Sequence, residues 1–227
     1  MSARARILVD VDTQHDFVDP SGALHVPAEE GVPDAIAMLL QEAEVEGIPI
    51  LGSVDSHAYD AWEFEANGGP FPAHCIKGTP GWLRVHPQLP ARTRFVPMQV
   101  LAPRVRNLVG ESVQGEGARE LSAATLAAEA RSGVALYFEK EVYSLFDNPA
   151  ATSVVAALVE AMGGTDAVVF DVFGYCTGGY CVDAAARGLA ERGYSVRVLS
   201  AATAPIGGAQ GAEASRVALT EAGVQWV

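Results

Sequence analysis

The chain has few cysteines, few basic residues and no long apolar run, and each shortage argues against a class of protein. Three cysteines among 227 residues cannot all pair, so we expect free thiols in a reducing cytoplasm. No run approaches the ~18 consecutive apolar residues of a transmembrane helix. Only 15 Lys and Arg stand against 28 Asp and Glu, and this net charge of -13 argues against nucleic acid or an anionic membrane as partner. A neutral or cationic small molecule is the easier ligand.

Linkers, internal repeats and low-complexity tracts are also absent, which predicts one domain over residues 1–227. The N-terminus leads directly into the apolar run Ile7–Asp12, which is typical of a core strand and not of a signal peptide. We therefore expect a cytoplasmic protein. Strand-like runs alternate with helix-like runs, which indicates an α/β fold: a three-layer α/β/α sandwich around a mainly parallel sheet.

The pattern of apolar residues predicts six strands and five helices. The strands are Ile7–Asp12, Ile48–Val54, Val134–Phe138, Ala167–Phe173, Ser195–Leu199 and Val224–Trp226. The helices are Val32–Glu46, Ala118–Arg131, Thr152–Met162, Val182–Arg192 and Ala212–Ala222. Two long irregular stretches remain, Ser56–Arg92 and Phe95–Gly117, and long loops in a compact α/β domain are usually functional.

Four chemically capable side chains follow predicted strands. Asp12, Asp55, Lys140 and Cys181 each stand at or just after a strand end. The carboxyl ends of parallel strands share one edge of the sheet, where ligands bind in open α/β folds. Taken singly, Asp12 could be a turn residue and Lys140 a solvated surface lysine. Their common placement favours a catalytic site over packing.

Cys181 is the candidate nucleophile because it stands where a strand passes into a helix. The run Val168–Tyr180 is β-branched and aromatic and then breaks into glycines, whereas the run from Val182 to Gly193 is amphipathic. Unpaired amides and the positive end of a helix dipole favour a thiolate over a thiol. The alternative is that Cys181 is a small buried apolar residue, as most free cysteines are.

A candidate metal site lies in the first irregular stretch. Asp55 and His57 can reach one cation from a single loop, and His74 can supply a third ligand. One carboxylate with two histidines suits zinc, iron or manganese when other positions stay open to water. An Asp-x-His pattern is common by chance, so the pattern alone is a weak indication.

Taken in order, these motifs resemble the isochorismatase-like cysteine hydrolases, and among them the nicotinamidases (pyrazinamidases). The family's Asp-x-Gln-x-Asp-Phe strand end is matched by Asp12–Phe17, and its Asp-x-His and His-Cys-x-x-Gly-Thr-Pro-Gly metal motifs by Asp55, His57 and His74–Gly81. The family's Lys with a following Tyr-Ser-x-Phe is matched by Lys140 and Tyr143–Phe146, and its Tyr-Cys-Val by Tyr180–Val182. The matched motifs span nearly the whole chain.

The resemblance implies a metal-dependent amidohydrolase that converts nicotinamide to nicotinate and ammonia through a thioester. Asp12 is then the base, Lys140 stabilises the thiolate, and Cys181 is the nucleophile, while the backbone amides of Cys176 and Cys181 form the oxyanion hole. A divalent transition metal, with zinc favoured over iron or manganese, would sit on Asp55, His57 and His74 and hold the pyridine nitrogen. Phe17, Phe71 and Tyr180 would contact the substrate. Phe17 and Phe71 could instead be core residues, and for Phe17 the two interpretations weigh about equally. We also expect a homo-oligomer.

Three departures from the family pattern leave the substrate open. The loop Gly174–Cys181 is one residue longer than usual, Phe71 replaces a tryptophan, and Ser56–Trp62 lacks the family's Trp-His-Pro. A second hypothesis is therefore a thiol amidase acting on another small amide or a carbamoyl compound. A third is a catalytically silent binding domain on the same fold, which the intact Asp12, Lys140 and Cys181 disfavour.

Overall fold

Seven parallel strands form the central sheet. The structure is a computed structural model that describes residues 4–86, 90–98, 105–106, 112–113 and 122–227. Its strands are β1 (Ala5–Val11), β2 (Ile50–Asp55), β3 (Thr93–Val96), β4 (Val105–Arg106), β5 (Ser112–Val113), β6 (Ala135–Lys140), β7 (Val168–Thr177), β8 (Val196–Pro205) and β9 (Gln225–Trp226). The sheet order is β3-β6-β2-β1-β7-β8-β9, with β4 and β5 forming a separate antiparallel pair. Every neighbouring pair in the large sheet is parallel, as the alternating pattern predicted.

Helices cover both faces of this sheet. They are α1 (His15–Val18), α2 (Val32–Glu46), α3 (Ala123–Arg131), α4 (Ala151–Ala161), α5 (Cys181–Glu191) and α6 (Gly208–Glu221). Buried side chains of α3, α4, α5 and α6 belong to one apolar core, and those of α2 belong to a second core on the other face. The predicted three-layer α/β/α sandwich is therefore confirmed. Among the residues described, no helix is long and apolar enough to cross a bilayer.

Helix α2 shows how the local sequence determines which face of a helix is buried and where the helix ends. Its buried residues Val32, Ile36, Leu40 and Ala43 recur at helical spacing, so one stripe faces the sheet. The helix ends at Gly47, where φ is 69° and the amide bonds back to the Ala43 carbonyl. Glycine adopts this left-handed conformation without the steric penalty of a Cβ, which explains the sharp stop.

Two strands extend at least four residues beyond their predicted ends. β7 continues past Phe173 to Thr177, and β8 continues past Leu199 to Pro205. The added residues are mostly glycine, alanine, serine and threonine, which lack the apolar signature of a strand. They pair because β7 and β8 lie side by side, with register shifts between Val172 and Thr177. This extension carries the backbone to the candidate site.

The remaining differences lie at the sheet edge and in the irregular stretches. The predictions missed β3, a four-residue edge strand that pairs with β6 and has only one fully buried side chain. Helix α3 begins at Ala123, and residues 118–121 of the predicted helix lie outside the described residues. So do residues 99–104, 107–111 and 114–117 of the stretch Phe95–Gly117. In the stretch Ser56–Arg92, the described residues form short turns.

A buried polar cluster binds the loop that carries Arg84 to the carboxyl edge of the sheet. Asp10 Oδ2 accepts hydrogen bonds from Tyr137 Oη at 2.6 Å, Arg84 Nη2 at 3.0 Å and Thr13 Oγ1 at 3.2 Å. The Arg84 guanidinium also lies 4.0 Å from the Tyr137 ring centroid. Gly52 leaves room for this ring, because a Cβ there would come within 2.6 Å of it. The cluster thus holds one wall of the site against the sheet.

Candidate active site

The carboxyl ends of three neighbouring strands bring the predicted site residues together. Asp12 follows β1, Asp55 ends β2, and Lys140 ends β6, where it is the register partner of Asp55. Cys181 begins α5 directly after the turn that leaves β7. All four side chains are buried. The expectation that they share one edge is met by these positions.

Lys140 is the centre of the arrangement. Its Nζ lies 2.7 Å from Asp55 Oδ1, 2.8 Å from Asp12 Oδ2 and 3.5 Å from Cys181 Sγ. Burial by itself lowers the pKa of Lys140, but the two carboxylates outweigh it and raise that pKa well above its ordinary value. The two carboxylates therefore favour the charged ammonium form of Lys140, and its complete burial rules out the alternative of a solvated surface lysine.

Asp12 has the surroundings of a general base. Ser53 Oγ donates to Asp12 Oδ1 at 2.7 Å, and Asp12 Oδ2 forms an ion pair with Lys140 Nζ at 2.8 Å. Burial raises the pKa of Asp12, against the opposing effect of Lys140. A buried carboxylate with raised proton affinity is suited to act as a general base.

The surroundings of Cys181 favour the neutral thiol in the free protein, against the helix N-terminus that favours a thiolate. Burial raises the pKa of Cys181 well above its ordinary value, Lys140 opposes the rise, and Asp12 and Asp55 add to it. The helix N-terminus is present as predicted, but desolvation and two carboxylates outweigh it. A thiolate must therefore form by proton transfer, for which Asp12 is the nearby acceptor.

The other two cysteines lie elsewhere in the fold. Cys176 and Cys75 pack in the core on the α2 face of the sheet, whereas Cys181 belongs to the core on the opposite face. Burial raises the pKa of Cys75 and of Cys176 as well. Of the three, only Cys181 has the Lys140 ammonium within hydrogen-bonding distance of its sulfur.

A second cluster continues from Asp55 toward the surface. His57 Nε2 lies 3.1 Å from Asp55 Oδ2, and His74 Nε2 lies 3.6 Å from the same oxygen. Glu63 Oε1 completes the group at 2.6 Å from His57 Nε2 and 3.6 Å from His74 Nε2. One atom from each residue lies within 4.8 Å of the others. The three predicted ligands are thus joined by Glu63, which the sequence analysis missed.

The donor atoms of this cluster fit a divalent metal. His57 Nε2 and Glu63 Oε1 are buried at contact distance, yet neither has a partner with hydrogen-bonding geometry among the described residues. His74 Nδ1 lies 2.8 Å from the Pro72 carbonyl oxygen, which leaves Nε2 directed at the cluster. Atoms of this kind that converge without bonding one another suit a shared cation. Two imidazoles and two carboxylates form a ligand set that zinc, iron and manganese accept.

Glu63 reaches the cluster through a tight fold of its loop. The Phe71 amide donates to the Glu63 carbonyl at 3.0 Å, and the Glu65 amide donates to the Phe71 carbonyl at 2.7 Å. Gly69 is required here, because a Cβ would lie 2.0 Å from the Glu63 backbone. The sequence signal for Glu63 as a ligand was an acidic residue six positions after His57. An isolated glutamate in a loop is usually solvated, so this signal was weak.

The side chains of Gln14 and Asp16 hold the end of β2 and the loop of His74 in place. The Gln14 side chain donates to the Asp55 carbonyl at 2.8 Å and accepts from the Asp55 amide at 2.7 Å. Asp16 Oδ2 accepts from the Cys75 amide at 2.7 Å, next to His74. Gly81 lies against the same carboxylate, and a Cβ there would come within 2.1 Å of Asp16 Oδ2. These contacts give the Asp-x-Gln-x-Asp-Phe and Gly-Thr-Pro-Gly motifs a positional role.

Aromatic rings surround the cluster. Phe17 and Phe71 contact the His74 ring with centroids 5.6 and 6.0 Å away, and Tyr180 contacts Tyr143 at 5.4 Å. Phe17 is buried, whereas Phe71 and Tyr180 are partly accessible. Phe71 and Tyr180 also line a cavity of about 410 Å³. This mostly apolar recess suits a flat, uncharged ligand.

Two backbone amides of the loop before Cys181 are occupied by side chains. The amides of Gly178 and Gly179 are engaged by side chains of Ser215 and Asp183. Cys176 lies at the end of β7, and its peptide bond to Tyr175 is cis. Cys181 is the first residue of α5, whose leading amides lack helical partners. The predicted donors, Cys176 and Cys181, therefore remain as candidates.

A family model describes the first part of the chain. Residues 6–97, which contain Asp12, Asp55, His57, Glu63 and His74, match the isochorismatase domain. No curated protein is similar enough in sequence to count as a relative.

Solved structures are similar to nearly the whole of this chain. A pyrazinamidase of Pyrococcus horikoshii in complex with zinc is 23% identical, with a TM-score of 0.66 and 98% of each chain covered. A nicotinamidase/pyrazinamidase from Bacillus subtilis is 21% identical, with a TM-score of 0.65 and coverage of 98% of this chain and 99% of that one. An N-carbamoylsarcosine amidase from Thermoplasma acidophilum is 20% identical, with a TM-score of 0.59 and coverage of 98% and 95%. At these identities the comparison establishes the fold.

Proposed function

We propose that this protein is a thiol-dependent amidohydrolase, and that a pyridine carboxamide such as nicotinamide is its substrate. The observation that carries the proposal is the Lys140 ammonium, which contacts Asp12, Asp55 and Cys181 at once. One cation therefore links a candidate base, a candidate nucleophile and the metal-ligand cluster. A binding domain without catalysis has no need to bury four such groups, because each costs desolvation energy.

In the proposed reaction, Asp12 Oδ2 accepts the Cys181 proton and the thiolate attacks the amide carbonyl carbon. The backbone amides of Cys176 and Cys181 donate to the oxyanion as it forms. Asp12 then returns the proton to the departing nitrogen, which leaves as ammonia when the carbon–nitrogen bond breaks. A water molecule, deprotonated by Asp12, hydrolyses the thioester and releases the carboxylate and the Cys181 thiol. Lys140 stays charged throughout and balances the negative charge shared by Asp12 and sulfur.

The residues Asp55, His57, Glu63 and His74 would hold a divalent transition metal. When bound, the metal would supply a Lewis-acidic position for the ring nitrogen of a substrate, which would fix the ring relative to Cys181. The aromatic rings of Phe17, Phe71 and Tyr180 would then contact the faces and edge of the substrate. The carbamoyl alternative remains a second candidate, because the altered loop and Phe71 change the walls of this recess and a carbamoyl-compound amidase shares the fold.

An ammonia-release assay over a small amide panel tests the function. We expect nicotinamide and pyrazinamide to be hydrolysed, and benzamide, which has the same shape without a ring nitrogen, to react at least about tenfold more slowly, equivalent to ~1.4 kcal/mol. Hydrolysis confined to N-carbamoyl compounds would favour the second candidate. No release from any amide would indicate a binding domain and refute the proposal.

The metal ligands give a separate prediction. The purified protein should carry about one divalent transition metal per chain. Glu63→Gln and His74→Ala should each lower this stoichiometry several-fold and raise the KM for nicotinamide, while alkylation of Cys181 changes little. Glu65→Gln is the matched control, because Glu65 lies on the same loop but outside the cluster. Full metal content in Glu63→Gln would show that Glu63 is not a ligand.

A further inference from the structure

The turn that joins β7 to α5 is held by two side chains that play no part in the proposed chemistry. Gly178 and Gly179 both have positive φ, 95° and 96°, and they lie immediately before Tyr180 and Cys181. The loop is one residue longer than the family pattern noted above. Two consecutive glycines give a turn great conformational freedom, so its conformation depends on contacts from outside.

Asp183 and Ser215 supply those contacts. The Gly178 amide donates to Ser215 Oγ at 2.6 Å, and the Ser215 hydroxyl donates to Asp183 Oδ2 at 2.5 Å. The Gly179 amide donates to the same oxygen of Asp183. Ser215 and Asp183 are 1% and 6% exposed, so water does not compete freely for these bonds. A continuous network thus links α6, the turn and the first helical turn of α5.

Backbone packing holds the turn from its other side. A Cβ on Gly178 would lie 2.5 Å from the Ile206 carbonyl oxygen, and a Cβ on Gly211 would lie 1.8 Å from it. The Ile206 amide in turn donates to the Thr177 carbonyl at 3.1 Å. The turn is therefore pressed between the β8–α6 connection and the Asp183–Ser215 pair.

We propose that Asp183 and Ser215 are positioning residues for amide hydrolysis, acting by holding the two-glycine turn so that the Cys176 and Cys181 amides converge. This inference rests on the proposed function. Because the network engages the amides of Gly178 and Gly179, it also prevents them from competing for the substrate oxygen. A donor displaced by about 1 Å can cost ~100-fold in rate, so a loosened turn would slow the formation of the oxyanion.

A purely structural role makes a different prediction. Asp183 stands in the first turn of α5, where an acidic side chain commonly stabilises a helix N-terminus. If that were its whole role, Asp183→Ala would lower the melting temperature without a selective loss of kcat. The two roles are separated by comparing amide turnover with alkylation of Cys181 by iodoacetamide, which forms no oxyanion.

The experiment uses Asp183→Ala, Ser215→Ala, their double variant and Asp183→Asn in the full-length protein. We expect each alanine variant to lower kcat for nicotinamide about 10- to 100-fold, with KM and the alkylation rate within about twofold of wild type. The double variant should lose no more than the worse single variant, because both changes break one network. Asp183→Asn should restore most of kcat, since the amide oxygen can accept the same two hydrogen bonds. Ser122→Ala, which removes a comparable bond at the N-terminus of α3, is the control for loss of stability alone.

The outcomes separate this inference from the proposed function. Alanine variants that keep kcat within about threefold, in a wild type that hydrolyses nicotinamide, would refute only the positioning role. Parallel losses of turnover and alkylation, or no restoration by Asp183→Asn, would show an effect on folding and would also refute it. A wild type that hydrolyses no amide would overturn the proposed function, and the positioning role with it.

Discussion

Replacing Cys181 with alanine should lower kcat for amide hydrolysis by at least about 10⁴-fold, because no other group can form the thioester. Cys181 sulfur lies 3.5 Å from the Lys140 ammonium and starts a helix, whereas Cys176 and Cys75 are packed in the opposite core. Cys75→Ala should keep kcat within about threefold, although it removes a buried sulfur. The measurement is steady-state ammonia release by each variant.

Alkylation identifies the same residue independently. Limited iodoacetamide treatment followed by peptide mapping should label Cys181 first, and nicotinamide should protect it. The neutral resting thiol implies slow labelling at neutral pH that accelerates as pH rises, because the pKa of Cys181 is raised in the free protein. Preferential labelling of Cys176, together with an active Cys181→Ala variant, would show that the nucleophile has been misassigned.

Asp12→Asn should lower kcat by about 10²- to 10⁴-fold while it increases the reactivity of the thiol. Asparagine cannot accept the proton from sulfur or return it to the departing nitrogen, so turnover fails. In the wild type, the Asp12 carboxylate raises the pKa of Cys181 and Lys140 lowers it. Removing that carboxylate leaves Asp55 as the one remaining carboxylate beside Lys140, and the pKa of the thiol should fall.

A fall in the pKa of the Cys181 thiol, together with a loss of turnover, distinguishes a base from a structural carboxylate. We expect the pH dependence of iodoacetamide labelling to shift to lower pH in Asp12→Asn, even though hydrolysis is nearly lost. Asparagine is the suitable replacement, because φ at this position is 49° and asparagine tolerates the left-handed region. It also retains an acceptor for the Ser53 hydroxyl. Near-wild-type kcat would show that Asp12 is structural.

Single-domain organisation, a homo-oligomeric state and a cytoplasmic location stay predictions. Size-exclusion chromatography with light scattering would test the oligomeric state. The net charge of -13 also remains compatible with a neutral pyridine carboxamide, which needs no electrostatic attraction to reach the site.

Local sequence carried the fold class and the edge on which the site lies. Strand and helix periodicity is a property of neighbouring residues, so the β/α alternation predicted the sheet. Because carboxyl ends of parallel strands share an edge, Asp12, Asp55 and Lys140 could be placed together without knowledge of any contact. Strand ends were less predictable: the β8 extension to Pro205 consists of small residues that pair only because β7 lies beside them.

The ionisation of the site was decided by the tertiary structure. The position of Cys181 at the start of a helix favoured a thiolate, and Lys140 taken singly could have been a solvated surface lysine. In the structure, burial raises the pKa of Cys181 and two carboxylates raise that of Lys140, and both effects come from groups distant in the chain. The same holds for Glu63, which joins the metal-ligand cluster only through the folding of its loop onto Phe71.

The chain by itself thus determined which elements form and which residue types reach the catalytic edge, since those follow from spacing along the backbone. Only the tertiary structure decided which carboxylates surround Lys140, that Glu63 faces His57, and that Ser215 reaches the turn before Cys181. The physical reason is that hydrogen bonds, desolvation and charge pairing act across a few ångströms of space. Lys140 and Asp55, for example, lie 85 positions apart in the chain.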